Sequence, residues 1–264
     1  MNDKFLIAWY RLRGLGLICL CFLLFFGGTL ILEQKSIPVS SAVDGRELPV
    51  YCVQTDEKKV ALTFDAAWGN EDTETILRIL EKYGVRATFF VTGGWVDNYP
   101  EDVKKIVAAG HALGNHSQNH KHMSELGTEE IRQEIMEVHE KVKKLTGISM
   151  NLFRPPYGDY DNELIVTVKE YGYLPIQWDV DSEDWKNYGI ESIIAKVTKH
   201  KHLGNGSVIL LHNGADYTAM ALEMVITGLQ DQGYDLVTVS ELVYFENYHM
   251  DAEGRQSLNQ EMTK

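Results

Sequence analysis

Val60-Ala-Leu-Thr-Phe64-Asp65, a helical stretch over 72–83, and Arg86-Ala-Thr-Phe-Phe-Val91 together decide the fold of this 264-residue chain. The first run is short, continuous and apolar, as a strand buried on both faces is, and it stops on a carboxylate. In the stretch that follows, Ile76, Leu77 and Leu80 recur at helical spacing, acids occupy the first turn and Gly84 stands just past the end. The third run is again short, apolar and rich in aromatic and β-branched residues. Strand, helix and strand within about 30 residues make a parallel β/α unit.

The alternation continues along the chain. A helix is expected over 100–109, opened by Pro100 and stopped by Gly110. A short extended piece over 112–115 comes next, then a helix capped by Thr128 and running to about 145. Phe153-Arg154 is a minimal strand halted by Pro155-Pro156. Further helices are expected over 161–171, 190–200 and 217–230, and strands over 174–178, 207–211 and 235–239. About seven parallel strands alternating with helices give an α/β fold, and the pattern fits an open doubly wound sheet or a barrel equally. Either way chemistry gathers at the C-terminal ends of the strands, where Asp65, Asn115, Arg154, Asp179 and His212 all fall.

Two further segments frame this domain. Residues 14–32 carry no charge, and as a helix at ~1.5 Å per residue they span the roughly 30 Å hydrocarbon core of a bilayer. Lys4, Arg11 and Arg13 precede them, so the expected topology is a short cytoplasmic segment (1–13), one membrane anchor (14–32) and an extracytoplasmic remainder. A cleaved signal peptide is the alternative, with Ser40 and Ala42 as the small residues. Residues 33–57 read as a linker, 58–245 as the folded domain and 246–264 as a polar tail. Net charge is −13, and because the first 13 residues carry +2, the rest carries −15. That balance argues against nucleic acid as a partner. Cys19 and Cys21 lie in the apolar run, which leaves Cys52 alone outside it, so no thiolate metal site or disulfide framework is available.

His116-Ser-Gln-Asn-His120 is the candidate metal doublet. Neutral imidazole is a common ligand of zinc and similar divalent ions, and in a helix or tight turn residues four apart share a face. His111 and His122 nearby read as structural or exposed.

Five short runs, in order, resemble the polysaccharide deacetylase family, carbohydrate esterase family 4. They are Thr63-Phe-Asp65-Ala-Ala-Trp-Gly69, His116-Ser-Gln-Asn-His120, Arg154-Pro-Pro-Tyr-Gly158, Asp181-Ser-Glu-Asp184-Trp185 and Ile209-Leu-Leu-His212. The resemblance implies an incomplete (β/α) barrel and a metal-dependent hydrolase that removes N-acetyl groups. It implies His116 and His120 as ligands of a divalent ion, zinc first, with cobalt, manganese or nickel as alternatives. Asp65 would be the base, with Arg154 keeping it ionised. The Tyr157 backbone N–H would stabilise the oxyanion. His212, held charged by Asp184, would be the acid. Trp185 and Leu210 would hold the acetyl methyl, and Trp68 and Tyr157 offer faces for sugar rings.

One departure stands out. The family's first motif carries two adjacent acids, the second of them a metal ligand, and here that position is Ala66. Water, Asp72 or Glu71 are the available substitutes. Small residues followed by Trp-Gly resemble the membrane-anchored sporulation branch, which implies peptidoglycan as the polymer, with N-acetylglucosamine or N-acetylmuramic acid as the target; a chitin-like oligosaccharide is the alternative partner, and a monomer is expected. A glycan-binding protein with lost catalysis and an esterase of O-acetyl groups are the other readings.

Overall fold

The computed structural model describes residues 42–259. The expected segments 1–13 and 14–32 lie outside them, and among the described residues no helix is long and apolar enough to cross a membrane. β1 (Ala42–Val43) and β2 (Arg46–Glu47) form an outlying pair, followed by β3 (Cys52–Val53). Next come β4 (Lys59–Ala66), α1 (Thr73–Lys82), β5 (Thr88–Val91), α2 (Gly93–Asn98), α3 (Pro100–Ala108), β6 (Ala112–Asn115) and α4 (Thr128–Thr146). The succession continues with β7 (Leu152–Phe153), α5 (Asn162–Glu170), β8 (Leu174–Pro175), β9 (Val180–Asp181), α6 (Ile190–Thr198), β10 (Val208–His212) and α7 (Thr218–Gln230). β11 (Asp235–Val237), α8 (Val239–Leu242), β12 (Tyr248–Met250) and β13 (Arg255–Leu258) complete it.

Seven parallel strands lie in one row, β8-β7-β6-β5-β4-β10-β9, and β11 joins β4 from off that row. β8 and β9 stand at its two ends, so the barrel is open between them. The segment before β4 lies across the opening, with Val50 bridging Ile176 and Cys52 bridging Ser207. This is the incomplete β/α barrel that the motifs imply.

Strand alternation explains why β4 is apolar throughout yet ends in chemistry. Val60, Leu62, Phe64 and Ala66 pack on the helix side with Ile76 and Leu80 of α1. Ala61, Thr63 and Asp65 face the barrel interior. Phe64 is fully buried and stacks on Phe89 with ring centroids 5.0 Å apart. Truncating it to alanine costs about 3–5 kcal/mol by analogy with other buried aromatics.

Several boundaries differ from the sequence expectation for identifiable reasons. Thr128 is the first residue of α4, with Gly127 as its cap, and its hydroxyl donates to Glu163 instead. The strand expected over 235–239 stops at Val237, because Thr238 and Glu241 form a reciprocal capping box that starts α8. The strand expected over 174–178 keeps only Leu174–Pro175 and is followed by the unanticipated two-residue β9. Opened by the Thr92 side chain, α2 begins with two glycines that carry no helical signal. Residues read as linker and tail are partly folded, since β12, β13 and β3 form a second sheet. Val50, Val53, Tyr248 and Met250 from those segments fill the barrel's inner cluster.

Candidate active site

The C-terminal ends of β4, β6 and β10 and the loops after them surround a pocket of about 460 Å³. Asp65, His116, His120, Tyr157, Trp185, Leu210, His212 and Trp68 all line it, so the five motifs converge. Arg154 lies beneath them, wholly buried.

Asp65 sits on the inner face of β4 at its end. The Arg154 guanidinium donates through Nη1 to Asp65 Oδ1 at 2.7 Å and to Thr63 Oγ1 at 2.8 Å, and through Nη2 to the Gln177 carbonyl at 3.1 Å. Phe90 lies under the guanidinium, 4.1 Å from the ring centroid. Burial alone would raise the Asp65 pKa. The charge and hydrogen bond of Arg154, with the nearby His212, overcome it and hold the carboxyl below its ordinary range. Asp65 is therefore an ionised carboxylate held in one orientation.

His212 ends β10 beside Asp65 and is held by Asp184. Its Nδ1–H donates to Asp184 Oδ1 at 2.7 Å, and its backbone N–H donates to Oδ2 at 2.7 Å. Burial works against the imidazolium, yet the hydrogen bond and charge of Asp184 raise its pKa above the usual histidine value. Two titrating groups in one pocket are thus pushed in opposite directions, the pattern of an acid and a base.

The His116–His120 segment is a loop, where the sequence allowed a helix or tight turn. Ser117 and His120 adopt positive φ values of 66° and 53°. Asn115 accepts from Ser117 N, the Ser117 hydroxyl accepts from His120 N, and Glu134 accepts twice from Asn119. These bonds turn both rings into the pocket, with centroids 4.8 Å apart. His116 Nδ1 lies 2.8 Å from the Arg154 carbonyl and donates to it, which leaves Nε2 facing the pocket, 3.5 Å from Asp65 Oδ2. Burial lowers both histidine pKa values, that of His120 to about 4, so both rings are neutral and able to ligate.

Donor chemistry therefore suits a divalent ion, but donor number does not. Among the described residues no group of three or more His, Cys, Asp or Glu side chains is placed to hold a metal. Ala66 is fully buried with the helix-side core. Asp72 accepts from Gly214 N at 2.9 Å, and neither it nor Glu71 lines the pocket, so neither replaces the missing acid. The pocket thus offers two neutral imidazoles, one protein donor fewer than a catalytic zinc site usually has.

Tyr157 adopts φ 61°, a left-handed conformation, and is 59% exposed. His122 stacks on its ring at 4.3 Å, and His120 meets it edge-on at 4.5 Å. His122 is thus exposed but packs against the site, while His111 is structural, accepting from Ala87 N beneath Phe89. Trp185 is 54% exposed and Trp68 52%, which makes both of them pocket walls rather than core. The Trp68 indole stands between His120 and His212, with centroids 5.8 and 5.7 Å away.

Of the strand-end groups, Asn115 is structural and Asp179 lies elsewhere. Asp179 binds Ser207 Oγ and Val208 N, at the beginning of β10 and the far end of the sheet from His212. Asp181 lines the pocket instead. Gln177, Asn213 and Thr218 support the site without any sequence signal, because a lone amide or hydroxyl in a loop has no periodic context.

The polysaccharide deacetylase family model matches residues 53–176. The chain is 38% identical to two Bacillus subtilis proteins, uncharacterized protein YlxY over 195 residues and peptidoglycan-N-acetylmuramic acid deacetylase PdaC over 190 residues. Those matches cover 74% and 72% of this chain but 60% and 40% of the relatives' lengths. Identity to the peptidoglycan-N-acetylglucosamine deacetylase of Bacillus cereus is 36%, over 74% of this chain and 92% of that protein. Among solved structures, BA3943 of Bacillus anthracis, described as a carbohydrate esterase family 4 pseudoenzyme, matches with a TM-score of 0.72 and 30% identity. That match covers 84% of this chain and 74% of BA3943. With its motifs gathered in one pocket and a relative 36% identical matched over 92% of its length, this chain belongs to the polysaccharide deacetylase family.

Proposed function

We propose that the chain is an N-deacetylase of cell-wall amino sugars, acting on peptidoglycan outside the membrane that holds its N-terminal segment. The observation that carries this reading is the placement of Asp65, bonded to Arg154 and held low, and of His212, bonded to Asp184 and raised, across one pocket. A binding protein needs no such pair. Asp65 takes a proton from water as its oxygen adds to the acetyl carbon. The backbone N–H of Tyr157 stabilises the resulting oxyanion. As the C–N bond breaks, His212 gives its proton to the departing nitrogen, and the products are acetate and a free amine. Leu210 and Trp185 enclose the methyl, while Trp68 and Tyr157 offer aromatic faces to the sugar. A divalent ion on His116 and His120, zinc first, would polarise the acetyl oxygen and acidify its bound water.

The test is acetate release from isolated peptidoglycan and from chitotetraose, with chelator and with added zinc. Wild type should release acetate and lose the activity in chelator. Asp65→Asn should lower release at least about a hundredfold, the low end for a general base, and His116→Ala should remove the zinc-dependent part of the activity. Full activity after complete metal removal would defeat the metal-assisted form of the reading. Ala66 favours a second reading, a glycan-binding protein on the same fold. Glycan binding with no acetate from any substrate would establish that one instead.

A further inference from the structure

Asp184 is held more completely than its bond to His212 requires. Its Oδ1 accepts from His212 Nδ1 and from Trp185 N at 2.9 Å. Its Oδ2 accepts from His212 N and from the hydroxyl of Thr218 at 2.6 Å. A carboxylate offers about four lone-pair sites, and all four are taken. Three of these donors belong to His212 itself or to the residue after Asp184, so they move with the pair. Thr218 is the fourth and comes from a separate element, the first turn of α7. Both it and Asp184 are buried.

The segment that carries Thr218 is itself tied down. Asn213 N donates to the Asp65 carbonyl at 3.0 Å. The Asn213 side chain accepts from Thr73 Oγ1 at 2.9 Å and donates to the Gly69 carbonyl at 3.0 Å. Gly214 N donates to Asp72. One loop therefore links the backbone of Asp65, the start of α1 and, through Thr218, the carboxylate behind His212. A buried threonine in a helix ordinarily returns its proton to a carbonyl three or four residues back. Here the proton goes to a carboxylate across the site.

We propose that Thr218 is a positioning residue that fixes the rotation of the Asp184 carboxylate, and with it the direction in which His212 presents Nε2 to the pocket. The kinetic part rests on the deacetylase reading; the geometric part does not. Thr218→Val keeps the shape and removes the proton, while Thr218→Ser keeps the proton. Thr218→Ala removes the same proton with less bulk and serves if the valine variant does not fold. A hydrogen bond to a charged group of this kind corresponds to roughly a 10- to 100-fold effect. Acetate release from chitotetraose by Thr218→Val should fall in kcat by that factor with KM within about twofold, and Thr218→Ser should stay near wild type.

The second measurement needs no turnover. The His212 Nδ1 proton should give a downfield NMR resonance in wild type and Thr218→Ser, and it should exchange with water at least about tenfold faster in Thr218→Val, at the low end of the same range. If wild type releases no acetate from any glycan, the deacetylase reading fails and this resonance alone decides the clamp. An unchanged resonance in Thr218→Val overturns the proposal, as does an unchanged kcat in an active protein.

Discussion

The two halves of the pocket are finished to different degrees. On one side Asp65, Arg154, Asp184 and His212 are satisfied by protein partners, with Arg154 Nε the one buried atom left without any among these four side chains. On the other side two neutral imidazoles converge, with no group of three ligating side chains placed to hold a metal among the described residues. The first half is held by charge and hydrogen bonds within the fold, whereas the second offers two donors and no more. The charged pairs and the imidazole pair are therefore separable here, and each can be broken alone.

Breaking the finished half should cost most. Arg154→Met leaves the Asp65 carboxylate buried without its cation, and removing one member of such a pair costs about 3–5 kcal/mol. Urea unfolding should show that loss, and acetate release should disappear with it. The double variant Arg154→Met/Asp65→Asn should recover part of the stability and none of the activity. Equal stability of the single and double variants would show that the guanidinium holds Thr63 and the Gln177 carbonyl rather than Asp65.

The unfinished half can be tested by addition. Ala66 is the last residue of β4, and its Cβ belongs to the helix-side core. A carboxylate there has to turn over the end of the strand to meet the imidazoles. Ala66→Asp should then raise zinc affinity by roughly tenfold or more, since a third protein donor completes the usual ligand count. Calorimetric titration measures this directly. Unchanged affinity with a lower melting temperature would mean that the new side chain stays with the core.

This contrast also marks what the sequence could tell. The long apolar strands, the amphipathic helices and the five motif runs were legible because burial on a regular period leaves a regular pattern. The second sheet was not. Tyr248, Met250 and Gln256 turn inward from two short strands in a stretch of otherwise polar composition, and two or three residues establish no period. At the site the reacting side chains were recognisable by type, but their supports were not. Thr218 lies six positions beyond His212, and only the turn into α7 brings its hydroxyl to Asp184. Asp179 was misplaced for a related reason. The strand expected to end beside it stops at Pro175, and the next strand starts after it.

That displacement leaves two carboxylates at opposite ends of the sheet, Asp65 buried and Asp179 partly buried, in opposite surroundings, and the smallest predicted effect follows from the difference. Asp65 has a guanidinium and is held low. Asp179 has a hydroxyl and one backbone N–H, and burial outweighs these and raises its pKa to about 6. An unfolded aspartate titrates near its ordinary value of about 3.9, so between about pH 4 and 6 the folded protein binds the Asp179 proton more tightly than the unfolded chain does. This group's contribution to stability is therefore greatest below pH 4 and is lost as the pH rises through 6. Asp179→Asn keeps an oxygen for Val208 N and carries no charge, so it should flatten that decline and stabilise the protein at pH 7. The full shift corresponds to about 3 kcal/mol, and partial exposure reduces the expected gain to about 1 kcal/mol. Asp72, also raised to about 6 by burial, keeps its own share of the slope in the variant. Urea midpoints from pH 4 to 7 for both proteins measure the effect. Parallel curves would show that Asp179 is as well compensated as Asp65, and the distinction between the two ends of the sheet would fall.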